Sequence, residues 1–124
     1  MCITNLSELE NKNFSDKYSQ WKVIFIEEAQ FFEGLSDFVK NSVDVHKKHV
    51  IVIGLDGDFK REVFGEIIGL IPFADNYTKL KAICRDCGDG TEAIFTKRIC
   101  NNDSKTLVGT LEMYKPVCRY HYLH

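Results

Sequence analysis

The chain lacks most of what would mark it as a nucleic-acid, membrane or secreted protein. Basic side chains are not in excess: 16 Lys and Arg stand against 18 Asp and Glu, a net charge of −2. That balance gives no electrostatic footprint for a polyanion or an anionic bilayer, so neither nucleic acid nor membrane is expected as a partner. Long hydrophobic runs are missing as well. The longest, Val23–Ile26 and Val50–Leu55, are far too short to span a bilayer. The first 20 residues carry no signal-peptide apolar stretch and no Arg-rich transit pattern, which points to a reducing, cytoplasmic location. No internal repeat or low-complexity linker interrupts the chain. What remains is an ordinary globular composition, 44% apolar and 27% charged over 124 residues. That length suits one domain burying roughly two-thirds of its unfolded surface.

Cysteine is present but arranged for metal rather than for disulfides. Cys84-x2-Cys87 and Cys118-x2-His121 are two close-spaced ligand pairs. Each spacing lets two side chains bite one ion without straining the turn between them. Together they make a Cys₃His set suited to a closed, structural Zn²⁺ site, with no open position for a catalytic water. The competing reading is four unrelated side chains. Residues 88–117, between the pairs, form a longer loop than the commonest zinc ribbons have, so something extra is expected on it. Cys2 and Cys100 are left over as unpaired thiols without a role.

The pattern of apolar residues predicts a strand–helix–strand–helix order. Val23–Ile26 reads as a strand covered on both faces, because it is continuously apolar. Residues 34–47 read as a helix, with Leu35, Phe38, Val39 and Val43 on one face and Ser36 as cap. A second buried strand is expected at Val50–Ile53. A second helix should follow, with Val63, Phe64, Ile67, Ile68 and Ile71 sharing a face and Pro72 ending it. This order implies an α/β fold with parallel pairing. Residues 79–83 are expected as a third strand leading into Cys84. Residues 1–20 look polar and weakly patterned, with Leu6 and Leu9 as packing points and Tyr18 and Trp21 packing at the sheet's entry. His46, Lys47, Lys48 and His49 read as a solvated turn.

Ligands of open parallel sheets collect at the carboxyl ends of the strands. Glu27 and Glu28 follow the first strand here and Asp56 the second, a Walker-B-like arrangement that suits Mg²⁺. A polar residue must end any buried strand, so the pattern alone is weak.

A resemblance sharpens this reading. Ile26-Glu27-Glu28-Ala29-Gln30-Phe31-Phe32 resembles the I-D-E-[AG]-Q-F-F motif of the zinc-ribbon thymidine kinases, cellular and viral. Gly54-Leu55-Asp56-Gly57-Asp58-Phe59-Lys60-Arg61 is similar to L-D-G-T-F-Q-R of the same family. Phe64-Gly65, Leu70-Ile71-Pro72-Phe73-Ala74, Thr96-Lys97-Arg98 and Tyr114-x3-Cys118-x2-His121 continue the series in order. The match runs over roughly residues 21–122.

The resemblance implies a P-loop-kinase-like parallel sheet core, here truncated, with a small C-terminal zinc-ribbon and lasso subdomain. The corresponding division is a polar segment at 1–20, a partial nucleotide-kinase core at 21–83 and the ribbon at 84–124. The implied activity is phosphoryl transfer from ATP to the 5′-hydroxyl of thymidine, giving dTMP. Glu28 is then the general base and Glu27 stands where the family has a Mg²⁺-holding Asp, one methylene longer. Phe31 and Phe59 match positions that pack around thymine, while Phe32 belongs in the core. Thr96 falls near the thymine methyl and Tyr114 near the sugar and base edge. Leu107, Val108, Gly109 and Thr110 resemble the lasso's V-I-G-G, with Thr110 in place of glycine. Zn²⁺ at Cys84, Cys87, Cys118 and His121 anchors both ends of that loop, His121 replacing the usual last Cys. Lys60 and Arg61 offer charge to a phosphate or form a solvated face. Thymidine, ATP and copies of the same chain, as tetramer or dimer, are the implied partners.

One family motif is missing: no glycine of the eight is followed by Lys, so G-x4-G-K-[ST] does not occur in these residues. The expectation is a thymidine kinase whose phosphate-binding part is encoded elsewhere. The alternative is a catalytically silent relative that keeps a nucleoside site or an oligomer contact. An unrelated zinc-ribbon interaction module is the third reading.

Overall fold

Four β-branched and aromatic residues in a row favour an extended chain over a helix. The computed structural model describes Leu6 and residues 12–99 and 113–124, and has a strand, β1, at Val23–Ile26. It pairs in parallel with β2, His49–Val52, from Val23 opposite His49 to Ile26 opposite Val52. Between them runs α2, Leu35–Lys40, which continues through a π-helical turn, Asn41–Val45. Six residues cannot hold a helix unaided. Burial of Leu35 and Phe38 against the sheet does so instead, at roughly 1.5–3 kcal/mol for each large apolar side chain. The parallel strand–helix–strand unit expected from the sequence is therefore present in a mixed α/β structure of short sheets.

The described residues fall into two compact units, Met1–Asp56 with Val63–Tyr77, and Gly57–Glu62 with Thr78–His124. In the first, Leu6, Tyr18, Ile24, Ile26, Ala29, Leu35, Phe38 and Leu70 form the core, with Phe32 packed against it. Several sequence expectations need correction. β1 is covered on one face only: Ile24 and Ile26 point inward, whereas Phe25 is 67% exposed. The start of α2 is capped not by Ser36 but by Glu66, whose carboxylate accepts from the N–H groups of Gly34 (3.0 Å) and Ser36 (2.8 Å). The second expected helix is a 3₁₀ segment, Ile67–Phe73, with Pro72 inside it and Val63 exposed. Proline's missing N–H costs less in such a short, loosely bonded helix than in an α-helix.

Residues 1–20 hold a helix, α1, at Lys12–Gln20 that their polarity hides. Tyr18 buries its ring and bonds Ser42 Oγ at 2.8 Å. Lys48, expected in a solvated turn, is buried instead. Its ammonium donates to the carbonyls of Tyr18 and Trp21, both at 2.7 Å, and sits 4.3 Å from the Tyr18 ring centre. Leu6 packs as expected; Leu9, Cys2 and Cys100 lie outside the described residues.

In the second unit, β3, Ala82–Ile83, pairs antiparallel with β4, Glu92–Ala93. β5, Phe95–Arg98, pairs antiparallel with β6, Tyr114–Val117, and α3, Arg119–Leu123, follows. The third strand expected at 79–83 is thus present as the two residues Ala82–Ile83, just before Cys84. Gly88 (φ 68°) and Gly90 (φ 88°) turn the chain back through the left-handed region, and this return pairs β4 with β3. Among the described residues no helix is long and apolar enough to cross a membrane.

Candidate functional site

Where β1 ends, the chain must leave the sheet without stranding backbone groups. Ile53 N–H donates to the Ile26 carbonyl at 2.8 Å, and Ala29 N–H donates back to the Ile53 carbonyl at 3.0 Å. Between these bonds Glu28 takes φ 52°, ψ 40°, the left-handed region. For a residue with a Cβ this costs on the order of 1–3 kcal/mol, and it persists only where the surroundings enforce it. Gln30, only 4% exposed, supplies the enforcement. Its Nε2 donates to Glu28 Oε2 at 2.6 Å, and its Oε1 accepts from Leu55 N–H at 3.0 Å. One side chain therefore ties the exits of both parallel strands together. Gly54 and Gly65 leave room for it: a Cβ on Gly65 would lie 2.5 Å from the Gln30 carbonyl oxygen.

Glu27 and Glu28 are exposed at this strand end, and Asp56 is half-buried. Phe31, 47% exposed, meets Phe64 edge-on at 5.3 Å. Glu27, Glu28 and Phe31 thus gather at the exit of β1. Gln30 was not singled out from the sequence, because a lone Gln beside carboxylates carries no pattern that announces burial.

The other expected nucleoside residues belong to the second unit. The Arg98 guanidinium lies 3.8 Å from the Phe59 ring centre and 5.0 Å from that of Tyr114. Its Nε donates to the Tyr114 hydroxyl at 3.1 Å, and its Nη2 bonds the same oxygen. Thr96 shares the Arg98 face of β5, two residues away, and Tyr114 stands opposite Arg98 in the register. Phe59, Arg98, Tyr114 and Thr96 are consequently grouped. Leu107, Val108, Gly109 and Thr110 lie outside the described residues.

Phe59 is presented by a turn that Asp58 builds. Asp58 is buried, and its Oδ1 accepts from the N–H groups of Lys60 (2.8 Å) and Glu62 (2.9 Å). Arg61 is exposed, in keeping with a solvated face, but its guanidinium also lies over two aromatic rings. Its guanidinium stacks 4.6 Å from the Tyr122 ring centre and 5.5 Å from that of Phe95. Tyr122 in turn donates its hydroxyl proton to the Phe59 carbonyl at 2.7 Å.

Cys84, Cys87, Cys118 and His121 bring one donor atom each within 4.8 Å of all the others. Their spacing tests the fit to zinc. A tetrahedron with about 2.3 Å to sulfur and about 2.0–2.1 Å to nitrogen has S–S edges of about 3.8 Å and S–N edges of about 3.6 Å. The Cys87 and Cys118 sulfurs are 3.8 Å apart, and His121 Nδ1 lies 3.6, 3.3 and 3.4 Å from the sulfurs of Cys84, Cys87 and Cys118. The donor set fits. Cys118 N–H also donates to Cys84 Sγ at 3.2 Å. Burial alone would push the Cys84 thiol up, but backbone N–H groups of Cys118, Cys87 and Asp86 outweigh it and lower it to about 6. Cys87, desolvated and beside the Cys84 sulfur, is raised to about 11. A site that makes a thiolate before any metal arrives is chemically a soft-cation site.

A family model for thymidine kinase matches residues 2–122. A thymidine kinase of Oryza sativa subsp. japonica is 44% identical over 121 residues, covering 98% of this chain and 44% of that protein. The thymidine kinase of Sheeppox virus is 38% identical over 104 residues, covering 84% and 57%. The cytosolic thymidine kinase of Bos taurus is 40% identical over 100 residues, covering 81% and 41%. The chain spans about half the length of these curated relatives. With the family model covering nearly every residue, and the acidic strand exit and Cys₃His cluster in place, the chain belongs to the thymidine kinase family.

Proposed function

We propose that this chain is the nucleoside-binding and zinc-bearing part of a thymidine kinase, which transfers a phosphoryl group from ATP to the thymidine 5′-hydroxyl and yields dTMP. The observation that carries this is Glu28: a strained residue at the end of a parallel strand, its carboxylate oriented by a buried amide. One carboxylate oxygen is held by Gln30, and the other faces the task of accepting the hydroxyl proton. Exposure of Glu28 leaves its carboxylate accessible to a substrate hydroxyl. Glu27 and Asp56 supply carboxylates for a Mg²⁺ ion, which neutralises charge on the phosphates. Phe31 and Phe59 offer flat apolar contact to thymine, with Thr96 and Tyr114 at its edge, and the segment of Leu107, Val108, Gly109 and Thr110 pairs with its polar rim. Zinc at Cys84, Cys87, Cys118 and His121 is structural. These 124 residues contain no G-x4-G-K-[ST] cradle, so the reading concerns the nucleoside half of the reaction. The complete enzyme is proposed to act in the cytoplasm as a homo-oligomer, tetramer or dimer.

The test is a pair of measurements on the protein carrying this chain. Thymidine should raise its Tm in a thermal-shift titration, and Glu28→Gln should lower kcat by roughly a hundredfold or more while leaving thymidine binding intact. No shift with thymidine, or full turnover by Glu28→Gln, sinks the proposal.

A further inference from the structure

The residue after a metal ligand is tied to the backbone of the residue proposed to hold the base. His121 contributes Nδ1 to the Cys₃His cluster, and both it and Tyr122 lie on the five-residue helix α3. Tyr122 N–H donates to the Cys118 carbonyl at 2.9 Å, so its backbone is fixed by the same knuckle that carries two of the ligands. Its ring packs at 5.1 Å from Phe95 and beneath the Arg61 guanidinium. From that position its hydroxyl reaches the Phe59 carbonyl at 2.7 Å. Arg61 itself holds φ 67°, a left-handed conformation that a non-glycine residue keeps only when contacts compensate it. Those contacts come from Tyr122 and Phe95. On the far side of the turn, Asp58 N–H donates to the Glu62 carbonyl at 2.9 Å, which closes the 58–62 loop into one body.

A five-residue helix has almost no stability of its own. Two of the ligands hold it, Cys118 immediately before it and His121 within it, so a bound metal would fix its conformation. We infer that Tyr122 is a positioning residue that couples metal occupancy to the placement of Phe59. The cluster at Cys84, Cys87, Cys118 and His121 then sets where the aromatic ring of the 57–62 turn stands. The consequence for thymidine rests on the functional reading above; the coupling itself does not.

The experiment is hydrogen exchange of the 58–62 amides together with metal analysis, on the full chain loaded with zinc. Tyr122→Phe keeps the ring and removes only the hydroxyl. It should keep its zinc yet exchange the Arg61 and Glu62 amides roughly five- to tenfold faster than the unaltered chain, the effect of one net hydrogen bond. Stripping the metal from the unaltered chain should speed the same amides at least as much. Unchanged exchange in either sample overturns the inference, and so does loss of zinc by Tyr122→Phe, which would make the tyrosine a support of the metal centre only. A thymidine titration separates the two layers. If the unaltered protein binds thymidine and Tyr122→Phe binds about as tightly, Phe59 does not hold the base and that part of the functional reading fails, while the exchange result decides the coupling. If the unaltered protein binds none, the functional reading fails while the exchange result still decides the coupling.

Discussion

The Gln30 amide donates to the Glu28 carboxylate at 2.6 Å while accepting from the Leu55 N–H at 3.0 Å. A buried side chain with both ends engaged cannot be replaced by an apolar one without stranding a partner. Gln30→Leu should cost about 1–3 kcal/mol in chemical denaturation, the penalty for an unmet hydrogen-bonding group. Gln30→Glu is the sharper test. It sets a second carboxylate against that of Glu28, and two such groups in contact ionise together only at a cost. Relative to the unaltered chain, this variant should gain stability as pH falls from 7 to 5, because one proton shared by the pair removes the repulsion. A pH-independent difference between the two proteins would mean that Glu28 and Gln30 do not touch.

Gly65 is held against the same residue. It sits at φ 65°, and a Cβ there would meet three backbone atoms of Gln30 at 2.5, 2.9 and 3.0 Å. Backbone cannot move aside as a flexible side-chain end can, so Gly65→Ala should destabilise by roughly 2–4 kcal/mol in a thermal or denaturant melt. Gly69→Ala is the control: a Cβ there meets nothing within 4 Å, and the change should stay within about 0.5 kcal/mol. Equal effects at both positions would contradict the packing described around Gln30.

Lys48 closes the end of α1 by donating to the Tyr18 and Trp21 carbonyls, both at 2.7 Å. Lys48→Met keeps most of the stem and deletes the charged donor. It should cost about 2 kcal/mol, the scale of a charge-assisted hydrogen bond. The loss should be local. Amides of Lys12–Gln20 should exchange faster while those of β1 and β2 keep their protection. Uniform loss across the first unit would show that Lys48 supports the core rather than the helix end.

What the sequence revealed and what it hid follow from the range of the forces involved. The parallel strands were legible because a continuous β-branched run is a local signal, and the Cys₃His cluster was legible because ligand spacing is local too. The Lys48 burial was not, since a lysine beside another lysine and two histidines has the composition of a solvated turn. Only the carbonyls of Tyr18 and Trp21, roughly 30 residues earlier, make burial favourable. The same holds for Glu66, whose capping of α2 acts across 30 or more residues in place of Ser36. The segment at 63–71 misled because its apolar residues repeat at helical spacing. Gly65, locked at positive φ against Gln30, prevents the α-helix from starting there, and only the 3₁₀ stretch from Ile67 forms. At the site, motif positions were readable. Gln30 and Arg98 are themselves motif positions, but what they and Tyr122 do there depends on tertiary contacts that no local pattern announces.

The thiols of the metal cluster carry a pH signature whose sign can be worked out. Cys84 is lowered from the ordinary 9.0 to about 6, and Cys87 is raised from 9.0 to about 11. A depressed folded value contributes stability that is complete above the unfolded value and is lost as pH falls through the folded one. Cys84 therefore stabilises the metal-free chain increasingly from pH 6 to 9. A raised value acts oppositely, so the contribution of Cys87 is complete below pH 9 and fades toward 11. The metal-free chain, kept in chelator, should accordingly gain Tm between pH 7 and 9, and Cys84→Ser should flatten that rise. Zinc binding consumes thiolates and displaces protons. The loaded chain, with about one zinc per molecule, should melt well above the metal-free one at pH 7.5 and lose that margin on acidification toward 5. A metal-free Tm that falls between pH 7 and 9, or a Cys84→Ser chain with an unaltered profile, would remove the lowered Cys84 thiol from the account. Metal content near zero in the unaltered chain would remove zinc itself.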